Sequence, residues 1–185
     1  MNDNVVRWIL PQAAMNLSYA ELAQDGAKCR EGIALWAGKQ VSSQDGNGSA
    51  VRVTHVLLLR GTGVRRARGY ISISPELLND VTDTLAAIGE NIYLLGQIHG
   101  HPPGAGTDLS DVDIAYGIRS PKYLSVVAPG FGMFCRASIE DCGVHVFNAP
   151  GGWRRLTPDE VAARLVVPDL TTADVTCLTL GDNHP

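Results

Sequence analysis

Two histidines one residue apart, His99 and His101, open the run HGHPPGAGTDLSDVD, which ends at Asp113. The apolar residues just before them, 92–98, read as a strand. Successive strand side chains point to opposite faces, so His99 and His101 project to the same side, about 7 Å apart along it. The chain then turns through a Pro/Gly-rich loop into a helix expected over 110–118. Asp113 falls in the first turn of that helix, where a carboxylate can face back to the strand end. Two imidazoles and one carboxylate form the open three-ligand set of catalytic zinc, with the fourth position left for water. The ion brings the pKa of that water towards about 7, which supplies a nucleophile at neutral pH.

Such chemistry also needs a proton carrier. Glu31 begins the apolar stretch EGIALWA, where an unpaired carboxylate is costly. Beside the activated water it can accept a proton and pass it to a leaving amine. Ser110 precedes Asp113 by one helical turn and shares its face, so its hydroxyl can donate to the oxyanion of a tetrahedral intermediate. Ser110 also suits the helix N-cap, and the two roles are compatible. Asp108 and Asp111 lie close to Asp113. Asp113 is favoured as the ligand because it keeps the Ser-x-x-Asp relation, and Asp111 is the reserve choice. An isolated His-x-His would more simply be a hydrogen-bonded pair at a strand end.

The elements that must hold these residues follow from hydrophobic period and turn chemistry. Strands are expected over 5–10, 31–37, 51–60, 69–74, 92–98, 124–128, 133–138 and 143–147. A helix over 19–27 is expected from Ser18 as N-cap, with Glu21 completing a capping box. Ser74 and Pro75 open a helix over 75–89, whose apolar residues Leu77, Leu78, Val81, Leu85 and Ile88 recur at helical spacing. A last helix starts near Thr157 and runs to about Leu165. Gly38 and Lys39 end the second strand, and 41–50 reads as a polar loop. The order implies a mixed α/β (α+β) domain with one main sheet flanked by helices over residues 1–165. Residues 166–185 carry weak signals and read either as a C-terminal tail or as a swapped or docking segment.

The chain has 185 residues, 45% hydrophobic and 18% charged, which suits one globular domain with a proper core. A net charge of −4 argues against a nucleic-acid binder working through a bulk positive field. No apolar run approaches the roughly 20 residues that cross a bilayer, and residues 1–12 do not read as a secretory signal. Cys29, Cys135, Cys142 and Cys177 show no C-x-x-C pair, which reads as free thiols in a cytoplasmic protein. A bridge between Cys135 and Cys142 across a hairpin is the lesser alternative. Arg60, Arg65, Arg66 and Arg68 make a basic turn, either a solvated hairpin tip or a contact surface for an acidic partner or substrate tail. His55, His145, Trp8, Trp36 and Trp153 read as packing residues. The sequence specifies no oligomeric state.

At the chemically suggestive positions the chain resembles the JAMM metalloproteases of the JAB/MPN domain. Their pattern is an upstream Glu, then H-x-H-P, a loop, and S-x-x-D. The matching residues are Glu31 ahead of Gly32, Ile33 and Leu35, then His99, His101 and Pro102, then Ser110 and Asp113. The loop after His101 is one residue longer than the family's usual spacing. The resemblance spans roughly residues 5–147 in the order of elements. It implies an MPN/JAB-like mixed sheet and one Zn2+ ion held by His99, His101 and Asp113. It further implies Glu31 as general acid/base and Ser110 as oxyanion stabiliser. The expected activity is that of a peptidase or isopeptidase, deubiquitinase-like, acting at the C-terminal tail of a ubiquitin-like protein or its conjugate. A bacterial single-domain version, serving ubiquitin-like conjugation or antiviral defence, is the setting implied. The rival readings are a non-catalytic MPN scaffold and a metal-dependent hydrolase of a small amide or sulfur-carrier precursor.

Overall fold

In the computed structural model the elements run, in chain order, β1 (Val6–Ile9), α1 (Gln12–Gly26), β2 (Ile33–Ser42), β3 (Ser49–Leu59), β4 (Val64–Arg66), β5 (Ile71–Ile73), α2 (Pro75–Ile88), β6 (Tyr93–Gly100), α3 (Asp111–Tyr116), β7 (Leu124–Ala128), β8 (Gly143–Asn148), β9 (Gly152–Arg155), α4 (Pro158–Arg164), β10 (Leu165–Val166) and β11 (Thr176–Leu180). The structure describes residues 6–42, 49–133, 138–169 and 174–181. The strand expected over 133–138 falls largely outside them, as do Cys135, His184 and most of the loop expected over 41–50.

The fold is mixed α+β. The main sheet has the order β10-β1-β3-β2-β6-β7-β8-β9, with β11 also paired to β3. Its centre is antiparallel, β3 to β2 to β6, whereas β6 and β7 run parallel. A parallel pair needs a crossover, and here the crossover is the loop after His101 together with α3. The candidate residues therefore sit where the chain leaves the carboxyl end of β6.

The near-continuous apolar run of β2 marks a strand covered on both faces. Ala34 and Trp36 point into a core with Trp8, Leu10, Met15, Leu22, Ile98, Val126 and Val144. Ile33, Leu35 and Ala37 point the other way, onto Leu57, Leu59, Val64, Leu77, Val81 and Leu85. Helix α1 covers the first face and α2 the second. Helix α2 opens as the sequence predicts: Ser74 Oγ accepts from Leu77 N–H at 3.2 Å, and Leu77, Val81 and Leu85 are its buried stripe.

Two expectations are corrected. The first helix begins at Gln12 behind Pro11, not at Ser18. Ser18 is buried inside it; its hydroxyl donates to the Ala14 carbonyl at 2.7 Å and accepts from Trp36 Nε1 at 2.9 Å. Glu21 caps nothing. It takes Arg60 as a two-pronged partner and lies 3.5 Å from Arg66. Second, β2 does not end at Gly38 but runs to Ser42 through a register shift at Ala37/Gly38. A Cβ on Gly38 would lie 1.9 Å from the Arg52 carbonyl oxygen, so glycine permits the strands' close approach there. Residues 166–185, left open by the sequence as a tail or a docking segment, contribute β11, which pairs in parallel with His55 to Leu59 of β3.

Of the basic turn, Arg66 is half-buried and pairs with Asp25 at 2.8 Å, so it fastens the β4–β5 hairpin to α1, while Arg65 and Arg68 are exposed. Trp36 is core and lines no groove. Its indole provides the first prediction. Ser18→Ala would leave the Trp36 N–H buried without an acceptor, at a cost of about 1–3 kcal/mol. Urea denaturation reads this directly, and a change below about 0.5 kcal/mol would contradict it. No helix among the described residues is long and apolar enough to cross a membrane.

Candidate metal centre

His99 occupies the last turn-out of β6, opposite Ile33 in the ladder with β2. His101 lies two residues beyond, held by its N–H to the Ala128 carbonyl at 2.9 Å. Strand alternation thus puts both rings on one face, and both are buried, at 2% and 5% exposure. Their Nε2 atoms lie 3.2 Å apart.

Helix α3 delivers the carboxylate. Ser110 is its N-cap, and a capping box joins the Ser110 and Asp113 side chains and backbones reciprocally. The box fixes Asp113 so that Oδ2 lies 3.2 Å from His101 Nε2 and Oδ1 lies 3.4 Å from His99 Nε2. These three side chains form a group that can hold a metal ion, with all donor atoms within 4.8 Å of one another. The reserve ligand Asp111 is exposed on the other side of the turn, and Asp108 is engaged by Arg155.

Burial works against ionisation of Asp113, but hydrogen bonds from His101, His99 and Ser110 outweigh it and hold its carboxyl well below the usual carboxylate range. For His101, burial opposes the charged form, yet the Asp113 bond and carbonyl of Gly106 raise its pKa above the ordinary value. The Nδ1 atom of His99 is buried and has no hydrogen-bond partner among the described residues.

Glu31 lies just before β2. Its N–H bonds the Ala67 carbonyl at 2.8 Å, and Gly32 next to it accepts from Gly100 N–H at 3.1 Å. This pins Glu31 beside His101. The side chain is 4% exposed. Burial drives its pKa from 4.5 up to about 7; the charge of His101 opposes the rise and that of Asp113 adds to it. A carboxyl poised near neutrality can both take up and release a proton at physiological pH. The hydroxyl of Ser110 donates to Asp113 Oδ2 at 2.6 Å, so its proton is committed to the carboxylate in this geometry.

Two neighbours were not recognised from the sequence. His145 alternates with apolar neighbours as a packing residue does, and no local pattern marks Arg155; both come from the β8–β9 hairpin, some 40 residues further along the chain than the loop they border. Arg155 bonds Asp108 and Thr107. Burial, helped by the Arg155 cation, pushes the pKa of His145 from 6.5 down to about 4. The unfolded chain therefore takes up that proton first. The contribution of this histidine to stability is complete above about pH 6.5 and is lost as pH falls through about 4, some 3 kcal/mol in all. In metal-free protein, His145→Gln is expected to flatten the loss of stability between pH 7 and pH 4. An unchanged pH slope in chemical denaturation would rule this out.

His55 is half-buried, bonded to Thr54 at 2.8 Å, and is not part of the group. Cys29 and Cys177 are free thiols.

No protein-family model matches the chain, and no curated protein matches it. Among solved structures it is similar to a protein of Desulfitobacterium hafniense determined in solution. The two are 18% identical, with a TM-score of 0.55 over 90% of this chain and 96% of that one. A second solution structure, of a protein from Salinibacter ruber, is 16% identical with a TM-score of 0.47, covering 87% of this chain and 92% of that one. At 18% identity the first likeness concerns the fold alone.

Proposed function

We propose that this chain is a zinc-dependent hydrolase of amide bonds, with His99, His101 and Asp113 as the metal ligands. The observation that carries the reading is the spacing of the donor atoms. Bonds of about 2.1 Å at tetrahedral angles set neighbouring donors about 3.4 Å apart. The two imidazole Nε2 atoms are 3.2 Å apart, and the Asp113 carboxylate meets them through different oxygens, Oδ2 3.2 Å from His101 and Oδ1 3.4 Å from His99. Two neutral imidazoles and one carboxylate are also the donor types that suit zinc.

A zinc ion held there supplies Lewis acidity and a nucleophile at neutral pH. The remaining work belongs to the chain. With the ion bound, Glu31, a buried carboxyl, would take the proton of the attacking water and hand it to the departing amine. Asp113, kept ionised by its neighbours, offsets one unit of the ion's charge. Ser110 holds Asp113 in place.

The resemblance to JAMM proteases supports a peptidase or isopeptidase acting on the C-terminal tail of a ubiquitin-like protein or its conjugate. It also assigns Ser110 to the oxyanion, which requires the hydroxyl to turn from Asp113 towards the substrate. Ser110→Ala is then expected to slow turnover roughly 10²–10³-fold with zinc retained. A loss of rate that merely tracks a loss of zinc would reduce Ser110 to a support for Asp113.

The direct test joins elemental analysis to a cleavage assay. Purified protein is expected to carry about one zinc per chain. It is expected to cut ubiquitin-like proteins bearing a C-terminal extension, and a chelator should stop the cutting. Metal-free protein that cannot be loaded, or cleavage indifferent to chelation, would defeat the assignment.

A further inference from the structure

We propose that Arg155 is a positioning residue for the His101–Asp113 pair, acting as a clamp from the β8–β9 hairpin on the loop that supports both side chains. The inference rests on the metal-centre reading above.

The loop between β6 and α3 supports the two ligands from its two ends. At its start His101 donates its backbone N–H to the Ala128 carbonyl at 2.9 Å. At its far end Ser110 bonds Asp113 Oδ2 through its backbone N–H at 2.8 Å and its hydroxyl at 2.6 Å. Thr107 and Asp108 lie between these supports, and the hairpin grips both. One arm of the Arg155 guanidinium bonds the Asp108 carboxylate, and Nη2 donates to Thr107 Oγ1 at 3.0 Å. His145, opposite Arg155 in the ladder, places Nε2 4.0 Å from the same Asp108 carboxylate. Gly143 lies flat beneath the segment; a Cβ there would come within 1.8 Å of the Thr107 carbonyl oxygen. Contacts from one hairpin thus converge on two adjacent residues of the loop.

Without them the loop has little stiffness of its own. Gly104 and Gly106 adopt positive φ, and no atom lies near the position of a Cβ on either. Arg155 and Asp108 are largely exposed, so their pairing adds little to global stability. Its effect falls on the local order of residues 102–110. A guanidinium that bonds two residues at once fixes a direction as well as a distance, which an ammonium does not.

The test uses Arg155→Ala and Arg155→Lys, with Arg154→Ala as control, because Arg154 pairs with Glu160 on α4 instead. Zinc affinity is measured by competition with a chromophoric chelator, melting temperature and amide hydrogen exchange on the metal-free proteins. Arg155→Ala is expected to bind zinc about 10-fold more weakly, the lower end of what outer partners of metal ligands contribute. Arg155→Lys should fall between it and wild type, and Arg154→Ala should match wild type. Metal-free Arg155→Ala should melt within about 2 °C of wild type while residues 102–110 exchange faster. Wild-type zinc affinity in Arg155→Ala, or unaltered exchange of the loop, overturns the clamp. A loss of affinity shared equally by Arg154→Ala overturns it too. A wild-type protein that binds no zinc overturns the metal centre instead, and loop exchange in the metal-free proteins still decides whether Arg155 clamps.

Discussion

Glu31→Gln is expected to lower turnover by about 10²–10⁴-fold while leaving the zinc content unchanged. Glutamine matches the shape of the buried glutamate but cannot exchange a proton, so the substitution removes the acid/base step and little else. The same change should not weaken the fold. The folded-state pKa of Glu31 is raised from 4.5 to about 7, so the folded protein binds this proton more tightly than the unfolded chain. Stability from this group is therefore present below about pH 4.5 and lost as pH rises through about 7. The glutamine variant escapes that loss and should melt at or above the wild-type temperature at pH 8 when both are metal-free. Parallel measurement of rate, zinc and melting temperature checks all three. Normal turnover would remove Glu31 from the mechanism; a large fall in melting temperature would show that the carboxylate is structural.

The second large effect belongs to His101. His101→Ala removes one of three donors and should weaken metal binding by more than about 100-fold, beyond what a supporting residue contributes. Activity should go with the metal. In the metal-free protein, His101 and Asp113 favour a shared proton, since the contact raises one pKa and lowers the other. Metal uptake must therefore displace a proton, and affinity should fall as the medium is made more acidic. Chelator competition on wild type and variant at two pH values reads both effects. A variant that retains stoichiometric zinc would contradict the ligand assignment.

What the sequence revealed of the site, it revealed through local periodicity. His99 and His101 share a face because strand side chains alternate, and Ser110 and Asp113 meet because a capping box closes over one helical turn. Both relations are complete within a few residues. Glu31 was legible for a different reason: a carboxylate at the head of a run as apolar as Ile33 to Ala37 must have a use or a partner. The helix start at Gln12 is hidden in the sequence because Pro11 suits the end of a strand, whereas its fixed φ equally suits the entry to a helix. Ser18 then looked like a cap, although its partner is Trp36, a residue of another element. Arg155 illustrates the general limit. Its partners Thr107 and Asp108 are brought to it by sheet pairing across 47 and 48 residues, which no local pattern encodes.

The two strands that flank β3 on one side have a consequence for how the chain acquires its structure. β1 pairs with residues 49–52 of β3 and β11 with residues 55–59, both in parallel. One margin of a central strand is thus finished by segments separated by more than 160 residues of sequence. Such pairings raise the contact order and place loop-closure entropy ahead of any return in contacts. During synthesis, the stretch from His55 to Leu59 waits for residues 176–180 to leave the ribosome before its backbone groups on that side are paired. Until then it is an open template for a strand from another molecule, the point in the life of this protein at which chaperones have most to protect.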